Sequence, residues 1–139
     1  MTLRFSAVSL AVSLILFVLL AALAVFGADA GWLRNYFGDV LAVVWLYFVF
    51  ATVVAARPVV LALAAFGVGC GLELMQYLVS LQHWQIPNRA LRIVLGSTPD
   101  WMDVLAYGLG ALAVLGIEAL RAQVGGRARS EAVTEGAIE

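Results

Sequence analysis

Residues 58–81 read PVVLALAAFGVGCGLELMQYLVSL, and the reading of this stretch decides the fold. It carries one charged residue, Glu73, in a run otherwise apolar enough for the interior of a bilayer. Pro58 suits the first position of a helix, where a missing N–H costs nothing, and Arg57 before it marks a tight break. A helix from Pro58 to about Leu81 is long enough to cross a membrane. Three further spans flank it. Phe5 to Phe26 holds no charge and reaches about 33 Å at about 1.5 Å per residue. Val40 to Ala56 follows Asp39, and Pro99 to Leu120 completes the set. The whole chain of 139 residues is 64% hydrophobic and 12% charged, with a mean hydropathy of +1.01. Soluble domains average about 45–50% apolar and about 25% charged residues. This composition excludes a water-soluble globule, a disordered chain and a nucleic-acid binder. A single cysteine, Cys70, excludes a disulfide scaffold. The expected fold is all-α, a bundle of four transmembrane helices.

Two segments need separate readings. Ala28-Asp29-Ala30 has the look of a signal-peptidase site, but the apolar run before it exceeds the about 7–15 residues of a secretory signal. The first helix is therefore expected to be retained. After Arg121 the composition changes to Gly125, Gly126, Arg127, Arg129 and three glutamates. That change divides the chain into a membrane domain, residues 1–121, and a solvated tail, residues 122–139, expected to be frayed.

The arginines orient the bundle. With the N-terminus inside, Arg4, Arg57, Arg121, Arg127 and Arg129 collect on the cytoplasmic side, against Arg34, Arg89 and Arg92 outside. This asymmetry predicts an N-in, C-in, multi-pass protein. Trp32, Tyr36, Trp84 and Trp101 then fall at one membrane face, where amphipathic rings anchor. Between helices three and four, Pro87 suits the start and Gly96 the end of a short interfacial helix. Its apolar stripe would be Leu91, Val94 and Leu95, with Arg89 and Arg92 on another face.

Polar residues inside the spans point to a site. Glu73, Gln76, Tyr77 and Ser80 recur at three- and four-residue spacing, as do Asp100, Asp103, Tyr107 and Gly110 on the last helix. Asp39 opens the second helix. In an antiparallel bundle these stripes converge near the outer face. Glu73 lies roughly 12 Å below the interface, and an acidic residue at mid-bilayer costs about 2.5–3.5 kcal/mol on insertion scales. It must be protonated, paired, or turned toward a wet cavity. The expectation is an outward pocket in which Glu73 pairs with Arg89 or Arg92, flanked by Gln76, Asp103, Tyr107 and Asp39.

Plainer readings compete with this one. Asp39, Asp100 and Asp103 also fit as complements to helix dipoles, Arg89 and Arg92 as lipid-phosphate anchors, and Gln76 as an interhelical hydrogen bond. Glu73 fits a plain reading least, because a helix interior has no free backbone donor for it. Gly67 and Gly71, with Gly69 beside them, and Ala106 with Gly110 read as close-packing pairs, within the chain or between copies in an oligomer. His83 has no Cys or His companions, so neither a metal site nor a cofactor is expected, and Cys70 reads as packing. With no charge assigned to the cytoplasmic halves of the spans, a transport pathway is not favoured.

Gly69-Cys70-Gly71-Leu72-Glu73-Leu74-Met75-Gln76, then Arg89, then Asp103-Val104-Leu105-Ala106-Tyr107-Gly108-Leu109-Gly110 together resemble the VanZ-like pattern. That pattern is Glu-x-x-Gln on one helix, an outer-loop arginine, and Asp-x-x-x-Asn-x-x-Gly on the last helix. Tyr107 stands where the asparagine is usual. The tyrosine form, with Gly38-Asp39-Val40-Leu41 and Leu95-Gly96-Ser97-Thr98, is closer to an uncharacterised bacterial relative, domain-of-unknown-function family 2809. The resemblance covers about Arg34 to Gly116. It implies a polytopic protein of the bacterial inner membrane and cell envelope, and VanZ-like proteins are associated with low-level resistance to teicoplanin-type lipoglycopeptides. It brings no established reaction. By matched position, Glu73, Gln76, Arg89, Asp103 and Gly110 are the VanZ-like residues, and Asp39, Gly96 and Tyr107 match the uncharacterised relative.

Three functions stay open on this basis. One is a module that binds a lipid-linked anionic headgroup or cell-wall precursor, with arginines on the phosphate. Another is an intramembrane hydrolase or transferase acting on such a headgroup, with Glu73 and Asp103 as candidate acid–base groups. The third is a structural subunit of a membrane complex. No nucleophile–base pairing is visible, which favours binding over catalysis.

Overall fold

Inside a bilayer no water meets backbone N–H and C=O groups, so an apolar run must pair them internally, and a helix does so within one segment. The computed structural model describes residues 2–27, 31–81 and 100–135 of the chain. Four helices account for almost all of them: α1 (Ala7–Phe26), α2 (Gly31–Val53), α3 (Pro58–Leu81) and α4 (Trp101–Glu135). Each is long and apolar enough to cross a membrane. This is a multi-pass membrane protein, with four spanning-length helices among the described residues.

The third span matches its expected bounds, and the others shift. Helix α2 begins at Gly31, well before Asp39, which therefore sits more than two turns inside the helix. The segment Trp32-Leu33-Arg34-Asn35-Tyr36-Phe37 is too polar to count as bilayer core, yet it continues the helix outward. Asp39 is thus not a first-turn dipole complement. Helix α4 runs on past Arg121 and through Gly125-Gly126 to Glu135, so the expected frayed tail is helical over residues 122–135. Ala, Arg and Glu after the glycine pair are good helix formers, which explains the continuation. The expected interfacial helix, with Arg89 and Arg92, lies outside the described residues.

A two-stranded piece was not anticipated. Thr2–Leu3 (β1) pairs antiparallel with Val54–Ala55 (β2) in the turn between α2 and α3, with Thr2 opposite Ala55 and Leu3 opposite Val54. The pairing extends inward: the Arg4 amide donates to the Val53 carbonyl (3.0 Å) and the Ser6 amide to the Thr52 carbonyl (2.9 Å). The last carbonyls of a helix lack intrahelical partners, and here the segment after β1 supplies two donors. Ser6 then caps α1, its hydroxyl accepting from the Ser9 amide at 3.3 Å.

Helix α2 is the centre of the bundle, packing against α1, α3 and α4, while α3 also packs on α4. Its inward face is Val43, Val44, Tyr47 and Phe48. Opposite it stand Leu61, Ala62 and Ala65 of α3 and Tyr107 and Val114 of α4. Helix α1 buries only Ser13, so its apolar surface is left for lipid. Of the five small residues expected at close contacts, Gly69, Ala106 and Gly110 are spent within the chain. Ala106 is fully buried, and a Cβ on Gly110 would lie 2.6 Å from the Val40 carbonyl oxygen. Around Gly67 and Gly71 the space is open.

Candidate functional site

The inward stripe of α3 runs Leu61, Ala65, Gly69, Glu73, four residues apart, so Glu73 ends a line of packing residues facing the bundle. Its side chain is 7% exposed. Both carboxylate oxygens are satisfied. The Asp100 amide donates to Oε2 at 3.2 Å, and the Tyr107 hydroxyl donates to Oε1 at 3.3 Å. The helix interior offers no donor, as the sequence implied, but the next helix does. Asp100 stands just ahead of α4, with its carboxylate accepting from the Met102 amide (2.9 Å) and its carbonyl from the Asp103 amide (3.1 Å). Its own amide is then an unused donor at a helix N-terminus, turned toward Glu73.

Glycines make this geometry possible. A Cβ on Gly69 would lie 2.8 Å from the Tyr107 ring, so only glycine lets that ring lie flush against α3 with its hydroxyl at Glu73. Gly110, one turn further along α4, brings that helix against Val40 and Val43 of α2. Seven residues before Gly110 stands Asp103, and one before Val40 stands Asp39. The close crossing therefore brings these two carboxyl groups near each other.

Asp39, Glu73, Asp103 and Tyr107, expected to meet, do come together at one end of the bundle, from three helices. Asp100 joins them through its backbone. Gln76, half-buried one turn beyond Glu73, lies on the same side of α3. Tyr77 is half exposed and Ser80 exposed, and the Ser80 hydroxyl donates to the Tyr77 carbonyl at 2.7 Å, so neither joins the recess. Arg89 and Arg92 lie outside the described residues, and so does the expected ion pair with Glu73. Among the described residues no group of His, Cys, Asp and Glu is arranged to hold a metal ion.

The opposite end of the bundle holds a feature the sequence reading passed over. Glu118 of α4 pairs with Arg121 at 2.9 Å, and the Arg121 guanidinium lies 5.7 Å over the Phe48 ring. Glu118 is a charge within the half of the span that was read as free of charge. The three-residue spacing of Glu118 and Arg121, at the end of the apolar run, is the signal that was available.

A multi-pass helical membrane protein with a carboxyl cluster at one end of its bundle is the class that fold and site define. The model of a family described as "Protein of unknown function (DUF2809)" matches residues 28–111, and the chain belongs to that family. The match covers α2, α3 and the first part of α4, and so all of the carboxyl cluster. No curated protein and no solved structure matches the chain.

Proposed function

We propose that this protein binds the headgroup of a lipid-linked phosphate in the recess between α2, α3 and α4. The observation that carries the reading is the convergence of Asp39, Glu73, Asp103 and Tyr107 from three helices at membrane depth, where acidic groups are costly and rarely idle. Glu73, with both oxygens engaged, positions Tyr107 and the start of α4. Asp39, Asp103 and Gln76 are then the groups left to accept or donate to hydroxyls of a sugar-like headgroup. Arg89 and Arg92, arriving from the segment between α3 and α4, neutralise its phosphate. The likeness to the VanZ-like pattern supports a cell-wall precursor as the occupant, in the envelope of a bacterial inner membrane, and a part in glycopeptide tolerance.

The nearness of Asp39 and Asp103 supports a second reading, an intramembrane hydrolase or transferase. Two neighbouring carboxyls can act as paired acid and base. A single experiment separates the two. Purified protein is offered a labelled polyprenyl-phosphate-linked sugar, and both bound label and released product are measured. Saturable binding without product, weakened about tenfold in Asp103→Asn, supports the binding module. Product formation that disappears in Asp103→Asn supports the enzyme. Absence of saturable binding removes both and leaves a structural subunit.

A further inference from the structure

At the end of the bundle away from the carboxyl cluster, a cavity of about 700 Å³ opens between the N-terminal strand, the α2–α3 turn and α4. Three arginines line it: Arg4 from the segment before α1, Arg57 from the turn before α3, and Arg121 from α4. These come from widely separated parts of the chain, so their meeting is a product of the fold. Among the described residues one carboxylate, Glu118, lines the same cavity. Glu118 pairs with Arg121, and among the described residues neither Arg4 nor Arg57 has a carboxylate within salt-bridge distance. The cavity is therefore strongly cationic.

Backbone polarity adds to that charge. Ser6 and Pro58 both line the cavity, so the N-terminal ends of α1 and α3 open onto it, with the positive ends of two helix dipoles. The negative end of α2 also lies here, but its last two carbonyls, of Thr52 and Val53, are taken up by the Ser6 and Arg4 amides. The β1–β2 pairing thus fixes Arg4 at the cavity and hides the competing carbonyls. Phe48, Leu61 and the alkyl parts of Val54 and Ala51 form an apolar floor. An acyl chain or glycerol backbone can rest on that floor while the guanidinium groups face the membrane surface.

We propose that this cavity is a binding site for an anionic phosphate group, presented by a phosphomonoester lipid of the leaflet on the arginine side. Arg57 and Arg4 bind the phosphate oxygens, as guanidinium groups do in two-pronged fashion. Arg121, held by Glu118 and by the face of Phe48, is the pre-positioned third ligand. The size suits a headgroup, within the range of about 300–1,000 Å³ usual for ligand pockets. Basic pockets between transmembrane helices are known places for anionic lipid headgroups. This site is independent of the carboxyl recess, and either can fail without the other.

The test uses the full chain in phosphatidylcholine nanodiscs, titrated separately with short-chain phosphatidic acid, short-chain phosphatidylcholine and inorganic phosphate. Bound species are counted by native mass spectrometry. Phosphatidic acid is expected to saturate at one per chain, and the Arg4→Gln/Arg57→Gln double variant to weaken it about tenfold or more. Arg121→Lys, which keeps the charge but not the planar fork, should weaken it less. Arg34→Gln, an arginine of the opposite end, should leave it unchanged. Tighter binding of phosphatidic acid than of inorganic phosphate identifies the lipid as the source. Equal binding identifies a soluble phosphate and overturns the lipid assignment. The site itself is overturned if phosphatidylcholine competes equally, if the double variant binds as the parent chain does, or if Arg34→Gln is as damaging. Melting temperatures without ligand show that each variant is folded when it is scored.

Discussion

At the scale of single residues, the connection between Glu73 and its two donors carries the most specific consequences. Replacing Glu73 by leucine leaves the Asp100 amide and the Tyr107 hydroxyl without an acceptor in a site that is nearly closed. Each buried polar group left unmet costs about 1–3 kcal/mol, so Glu73→Leu should lower the melting temperature in detergent clearly. Glu73→Gln should be far milder. Its carbonyl can still accept from the Asp100 amide, and its NH2 can donate to the Tyr107 oxygen. Equal losses for the two variants would mean that the hydrogen bonds matter less than charge. Gly69 offers a second test of the same contact. A methyl group there meets the Tyr107 ring at 2.8 Å, and overpacking of this kind costs typically about 1–3 kcal/mol. Gly69→Ala should therefore destabilise the protein, and Tyr107→Ala in the same chain should recover part of the loss, which a double-mutant melting cycle would read. The sequence placed Gly69 among packing glycines but could not say which ring it served. That required the rotation of α3 about its axis, and the rotation is set by contacts at Ala65 and Ala62, not by local pattern.

At the scale of elements, the glycines divide by what surrounds them, and stability should divide with them. Gly110→Ala sets a Cβ 2.6 Å from a backbone oxygen of α2, which no side-chain rotation relieves, so the two helices must part. Gly67 has open space around it, and alanine there should be neutral or stabilising by up to about 1 kcal/mol through helix propensity. Paired melting curves of Gly110→Ala and Gly67→Ala check this; similar losses would show that helix propensity, not the α2–α4 crossing, controls both. The spans themselves were legible because hydropathy sums over a long window, and Pro58–Leu81 emerged at its expected bounds, its start set by a proline. Ends without such punctuation were not. The start of α2 lies in a stretch of mixed polarity, and the extension of α4 passes through a glycine pair that ordinarily signals a stop. The β1–β2 pair was invisible for a different reason. Two residues carry no periodicity, and their pairing depends on where the α2–α3 turn delivers Val54 and Ala55. In the same way the convergence of Asp39, Glu73, Asp103 and Tyr107 could be anticipated from helix spacing and alternating direction. Of the two donors that satisfy Glu73, the Asp100 amide could not, because a backbone amide leaves no trace in residue identity.

At the scale of the whole molecule, the bundle is polarised: carboxyl groups crowd one end, and arginines line a cavity at the other. Charge of this kind orients a helical membrane protein, since arginine-rich ends are retained in the cytoplasm. The arginine end, with the β1 strand, should therefore face the cytoplasm and the carboxyl recess the opposite compartment. The native Cys70 can be replaced by alanine, and single cysteines placed at Thr2 and at Ser80, both of which are exposed and lie at opposite ends. A membrane-impermeant maleimide applied to intact cells should label the cysteine at position 80, while that at position 2 reacts only after permeabilisation. The reverse pattern would place the carboxyl recess on the cytoplasmic side. A headgroup bound there would then have to come from the inner leaflet, and a precursor displayed outside the cell could not be its occupant. The arginine cavity would in that case open to the outer leaflet, where the same phosphate chemistry would have to find a different lipid. Orientation thus decides which pool of lipid each end of the bundle can reach, and the labelling pattern tests that before any ligand is identified.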